Sequence, residues 1–228
     1  MTQTIVIVAC RIFETLFDVC ARDIPTTYLE YGFHRTPKKM PSVIQAQLDA
    51  IAEPSRIVLG YGLCGNGIVG IKARQHTLIV PRTDDCIAIL LGSRARYAEE
   101  FNANPGTYYL TRGWLESGSH PLAEYETLMS KYDEATADWL IDQQYRHYRR
   151  LVFIALDQAD LELHRARVQA VADFCAARWQ MVLETRIGTG EFIERLMREQ
   201  IHQHESSDDF LIIPPGGEIT QAMFVRLR

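Results

Sequence analysis

The chain is notable first for what it lacks. No apolar run approaches the ~18 residues that a membrane span needs, so a membrane partner is not expected. The short run Ile5-Val6-Ile7-Val8-Ala9 follows Met1-Thr2-Gln3-Thr4, without the basic flank of an export signal. It reads as a buried strand instead. Basic residues are not in excess: 24 Lys and Arg face 29 Asp and Glu, a formal net charge of −5. A nucleic-acid binder needs a basic face to displace counterions, so that class is set aside. No Cys-x-x-Cys pair occurs, and no P-loop lysine follows the glycine-rich segment. The five cysteines, an odd number, argue against a full disulfide framework. Reduced thiols and a cytoplasmic setting are expected. Between Pro121 and Gly188 the chain has neither glycine nor proline, which favours long regular elements there.

What is present alternates short apolar runs with amphipathic stretches, the pattern of α/β layering. Strands are predicted at 4–9, 26–30, 56–60, 77–80, 107–110, 151–156, 180–184 and 210–213. A helix opens at Pro41, with Ile44, Leu48 and Ile51 at helical spacing, and Pro54 ends it. Further helices are predicted at 87–101, 121–148, 160–178 and 191–204, the first capped by Asp84 or Asp85. The expected fold is α/β, with mainly parallel sheet or sheets, flanking helices and two Rossmann-like lobes. Residues 1–120 form an N-terminal α/β lobe with the cysteine and glycine motifs. Residues 121–149 form a helical connector, and 150–228 a C-terminal α/β lobe.

The site expectation comes from position. Cys10, Cys64 and Cys86 each fall at or just beyond the carboxyl end of a predicted strand. Ligands of open parallel sheets bind at that edge. If the strands are parallel neighbours, three thiols share one rim, and thiolate suits zinc or an iron–sulfur cluster. His34, after the second strand, is a fourth candidate ligand, with Glu30 as its partner. Cys86 at a helix start and Cys64 in a glycine-rich turn are expected to have lowered pKa values. Asp84 and Asp85 oppose that shift. Cys20 and Cys175 read as core.

A small-molecule ligand is expected in an interlobe cleft. Gly62, Gly65 and Asn66 would offer backbone amides, Arg82 and Arg112 would hold an anionic group, and Trp114 would form a wall. The turn Pro214-Pro215-Gly216-Gly217 would face the same cleft from the second lobe. Two alternatives to the metal centre follow: a non-catalytic binder of a small anion or tetrapyrrole, and a thiol enzyme with Cys64 or Cys86 as nucleophile and His34 as base. His76, His120, His147 and His164 have no convincing partner in the sequence, and His202 and His204 read as solvated. Aromatic residues of the interlobe helices, among them Trp139, suggest a homodimer.

Ala9-Cys10, the segment 60–67, Pro81-Arg82 through Asp85-Cys86, and residues 87–93 and 106–114 together resemble domain of unknown function 1638. The resemblance implies no reaction. Members are similar to accessory proteins found beside corrinoid-dependent methyl-transfer genes, which implies a link to one-carbon metabolism. Thr83 departs from the family pattern, where another polar residue such as histidine is expected; a ligand from that position would then be absent.

Overall fold

A computed structural model describes residues 4–31 and 37–225, apart from the side chains of Glu199 and Gln200. His34 lies outside the described residues. The order begins β1 (Thr4–Cys10), α1 (Glu14–Cys20), β2 (Thr26–Leu29), α2 (Met40–Asp49), β3 (Ser55–Gly60) and β4 (Thr77–Pro81). It continues through α3 (Cys86–Leu90), α4 (Arg94–Ala103), β5 (Thr107–Thr111), α5 (Arg112–Ser117), α6 (Pro121–Met129) and α7 (Glu134–Tyr145). β6 (Arg150–Ala155), α8 (Gln158–Trp179), β7 (Val182–Ile187), α9 (Glu191–Arg195) and β8 (Phe210–Ile213) complete it.

The chain forms two compact units, Met1–Arg96 with Gly190–Arg228, and Tyr97–Thr189. The first holds a five-stranded sheet in the order β2-β1-β3-β4-β8. Its first four strands are parallel, and β8 runs antiparallel to β4. The second holds the three-stranded parallel sheet β5-β6-β7. The fold is therefore α/β and mainly parallel, as the alternating pattern indicates.

The sheet pairings differ from the lobes drawn at 120 and 150. β5 pairs with β6, whereas β8 returns to the first sheet. Strand pairing across distant sequence decides this, and local periodicity carries no record of it. The Gly216-Gly217 turn moves with β8. Its Gly216 amide donates to the Arg74 carbonyl, and the Gly217 carbonyl accepts from Ala73, both in the first unit.

β3 and β4 are buried along their whole length, which explains why they read as unbroken apolar runs. With β1 they pack against Ile44 and Leu48 of α2, joined by Ile219 and Phe224 from the C-terminal segment. In the second unit Leu151 and Phe153 of β6 pack against Val168, Val171 and Cys175 of α8. Tyr145 and Trp179 share that core, while Trp139 is 61% exposed.

Element boundaries moved where backbone geometry intervenes. The helix expected at 87–101 is two, α3 and α4, because Gly92 takes φ +81° between them. The stretch 121–148 is also two helices, the second capped by Asp133 accepting from the Thr136 amide. The helix expected at 191–204 keeps α-helical form only to Arg195 and continues as a π-helical turn, Leu196–Gln200.

Candidate functional site

Cys10 is the last residue of β1, Cys64 follows β3 by four residues, and Cys86 opens α3 after β4. These strands are neighbours and parallel, so the condition placed on a shared rim is met. β1 and β3 approach closely at this edge, where Ala9 pairs with Gly60. A Cβ on Gly60 would stand 2.5 Å from the Ala9 Cβ and 3.0 Å from the Phe17 ring. Glycine is needed there for space.

Beyond Gly60 the chain stays close to the segment after β4. The Leu63 and Cys64 amides donate to the Thr83 and Asp84 carbonyls at 2.8 and 2.9 Å. A Cβ on Gly62 would fall 2.7 Å from Thr83 Oγ1 and 2.8 Å from the Asp85 carbonyl group. Cys64, Gly65 and Asn66 then take φ +48°, +66° and +68° in succession. For the two non-glycines this left-handed backbone costs on the order of 1–3 kcal/mol each, a kind of strain found often at functional sites.

Burial decides the state of the thiols. All three residues are half-buried and free of disulfides. Desolvation pushes the Cys10 thiol up to about 11, aided by the Glu30 charge and opposed by the Ile12 amide. It pushes Cys64 up to about 12, with Asp85 and Cys10 adding to the rise. The Gly62 and Cys86 amides hydrogen-bond to Cys64 and only partly offset this. Cys86 is also raised well above the usual thiol value, by desolvation first and then by the Cys64, Asp85 and Cys10 charges. The expected lowering at Cys64 and Cys86 is thus reversed: in a dry environment, one short helix start and a few amides do not compensate for the cost of a buried charge. An activated nucleophile is disfavoured on the same ground.

The mutual influence of these groups brings Cys10, Cys64 and Cys86 within electrostatic reach of one another. Among the described residues, however, no group of three His, Cys, Asp or Glu side chains is placed to hold one metal ion. Adjacent strands stand ~4.8 Å apart, and Cys86 comes from one strand further.

Tyr61 is the rim residue that the sequence reading missed. The residue is 3% exposed, and among the described residues its hydroxyl has no hydrogen-bond partner. Desolvation raises its pKa strongly, and the Cys10 and Cys64 charges add to the rise. Arg11 Nε and Arg82 Nε, on residues after β1 and β4, are also buried without an acceptor among the described residues. Only the Gly60-Tyr61-Gly62 spacing hinted at Tyr61, because an aromatic between two rim glycines has little choice but to turn inward or out.

Other candidates fare differently. Asp85, not Asp84, caps α3 by accepting from the Ile87 amide at 2.9 Å. Thr83 is buried and donates to the Asp85 carbonyl, so it closes the loop. Arg82 reaches the Val225 carbonyl at 3.5 Å. The Leu63, Cys64 and Gly67 amides are committed to carbonyls, which leaves less of the expected anion nest around Gly65 and Asn66. Arg112 and Trp114 lie on α5, not on a strand, and belong to the second unit. There Arg112 meets Glu116 at 3.5 Å, and Trp114 packs against Tyr108.

Three of His76, His120, His147 and His164 do have hydrogen-bond partners, and in one of them, His147, Nε2 accepts from Arg146 Nε at 3.3 Å. His76 Nδ1 accepts from the Ser55 amide, and His120 Nδ1 caps α6 by accepting from Ala123. His164 Nε2 lies 3.3 Å from Asp160 Oδ1, but it makes no hydrogen bond among the described residues. Cys175 is core, as expected, but Cys20 is half-buried and donates to the Leu16 carbonyl at 3.0 Å.

Replacing Asp85 by alanine is expected to cost about 1 kcal/mol through loss of the α3 cap. It should also lower the Cys64 and Cys86 pKa values, since the carboxylate opposes their ionisation. Urea unfolding and thiol alkylation against pH read the two effects separately.

Fold and site define an α/β protein in which Cys10 ends β1, Cys64 follows β3 and Cys86 opens the helix after β4. The chain belongs to the family described as protein of unknown function (DUF1638), whose model matches residues 28–197 of 228. Cys64 and Cys86 lie within the matched span, and Cys10 precedes it. No curated protein and no solved structure matches the chain. No helix among the described residues is long and apolar enough to cross a membrane.

Proposed function

We propose that the chain holds an iron–sulfur or other soft-metal centre at the β1–β3–β4 rim, with Cys10, Cys64 and Cys86 as thiolate ligands. The observation that carries this reading is the buried Tyr61 hydroxyl, which lacks an acceptor beside Cys10 and Cys64. Leaving such a donor unsatisfied costs on the order of 1–3 kcal/mol. A neutral thiol is a poor acceptor, but a metal-bound thiolate is a good one. The buried Arg11 and Arg82 nitrogens would add donors to a negatively charged centre.

A cluster accepts a wider spread of sulfurs than one zinc ion does, because each thiol binds a different iron. Since the thiols are held protonated, binding releases one proton per thiolate ligand formed, and affinity should rise with pH. The proposed ligand or substrate is a small molecule, and the proposed compartment is the cytoplasm, where thiols stay reduced. Corrinoid-dependent one-carbon metabolism is the proposed setting, on family resemblance alone.

The test is anaerobic reconstitution with iron and sulfide, followed by iron, zinc and sulfide analysis per chain and visible absorption. Wild type should retain a coloured centre that the C10S/C64S/C86S variant loses. Tyr61→Phe should retain it with a shifted reduction potential. A folded wild type that stays colourless and metal-free, or equal retention by the triple variant, would overturn the reading.

A further inference from the structure

The first unit contains a cavity whose lining includes none of Cys10, Cys64 and Cys86. α1 and α3 both start near the cysteine rim, and α9 packs on both of them. At the far end of α3 this cavity, of about 310 Å³, is lined by Gly92, Ser93, Glu191, Glu194, Arg195 and Arg198. At ~30 Å³ per water it has the volume of about ten water molecules. Glu194 and Arg198 carry charges that reach the Cys20 thiol at the end of α1.

The lining carries two carboxylates and two guanidinium groups, so its formal charge is zero. Two of the four already meet an opposite charge, although Arg195 Nη2 stays buried without a partner among the described residues. Glu191 meets Arg96 at 3.3 Å, and Arg195 meets Asp209 at 2.9 Å while lying over the Phe192 and Phe210 rings. Glu194 and Arg198 are left. Their spacing of four, acid first, is the one at which a regular helix joins such a pair. Here the π-helical turn Leu196–Gln200 begins between them, and no ion pair joins them among the described residues. A π turn inside a helix is uncommon and recurs at binding sites. Two opposite charges, both on exposed residues, thus line one cavity with no ion pair between them among the described residues.

We infer that this cavity binds a small zwitterion of the α-amino acid class, with its carboxylate on Arg198 and its ammonium on Glu194. A simple anion would meet the Glu194 carboxylate, and a simple amine would meet Arg198. A ligand carrying both charges satisfies both. The Ser93 hydroxyl, which accepts from the Arg96 amide, still has its own proton to donate to a carboxylate.

The experiment is calorimetric titration and thermal denaturation of the full chain with the protein amino acids at millimolar concentration. For each binder, its decarboxylated amine and its N-acetyl derivative are measured beside it. At least one amino acid should bind, and both analogues should bind about tenfold more weakly or worse, as expected on losing a charged hydrogen bond. Arg198→Gln and Glu194→Gln should each weaken binding to the same degree without changing the melting temperature of the unliganded chain by more than a degree or two. The proposal is overturned if no amino acid binds, if the N-acetyl acid binds as well as its parent, or if both variants bind like wild type. The C10S/C64S/C86S variant should bind the amino acid unchanged, so failure of the metal reading and failure of this one are separate results.

Discussion

Gly60→Ala should destabilise the first unit by about 3 kcal/mol, near the upper end of what an overpacked core position costs. The new methyl would sit 2.5 Å from the Ala9 Cβ across the β1–β3 pairing and 3.0 Å from the Phe17 ring. Neither neighbour can retreat easily. Ala9 is fixed by the sheet register, and Phe17 is 1% exposed, filling the space between α1 and the sheet. Urea unfolding should therefore show a lower midpoint with an unchanged slope. The double variant Ala9→Gly with Gly60→Ala moves the methyl group to the other strand and should recover much of the loss. A near-zero coupling in that cycle would mean the close approach of the strands is not what requires glycine. Because Cys10 and Tyr61 follow these two residues directly, the single variant should also disturb the rim.

Alkylation of Cys64 at neutral pH should be about thirtyfold slower than that of an unperturbed thiol. Its pKa of about 12 against an ordinary 9.0 reduces the thiolate population about a thousandfold. The greater nucleophilicity of a more basic thiolate restores about thirtyfold, at a Brønsted slope near ~0.5. Cys10, at about 11, should be about tenfold slow by the same reasoning. Mass spectrometry of peptides after timed alkylation assigns each rate. Cys64 reacting like a free thiol at neutral pH would show that it is neither dry nor poised as a protonated ligand.

The same shift makes stability depend on pH, with a definite sign. A thiol whose folded pKa lies above its unfolded value favours the folded state fully below the unfolded value of 9.0. As pH rises the unfolded chain ionises first, and stability falls by about 1.4 kcal/mol per pH unit per such thiol. For Cys10 the loss runs from the unfolded value to about 11, and for Cys64 to about 12. Comparing wild type with Cys64→Ser between pH 8 and 11 isolates the contribution of that thiol.

The chain's own order of residues determined the α/β class, because buried parallel strands must read as apolar runs and flanking helices as amphipathic ones. β3 and β4 are legible for that reason, and so are a cap at Asp84 or Asp85, of which the fold uses Asp85, and the core placement of Cys175. The strand-end positions of Cys10, Cys64 and Cys86 could be read too, since they depend only on where each run stops. Tertiary structure alone decided that β8 joins the first sheet and β5 the second, because pairing partners far apart in sequence leave no local mark. It also decided the charge state of the thiols: amides and helix starts favouring ionisation can be read from neighbours in the chain, but desolvation depends on atoms brought in from β1, β3 and the α3 start together. The Tyr61 hydroxyl and the open Glu194–Arg198 pair belong to this second kind, being defined by which partners the folded chain withholds.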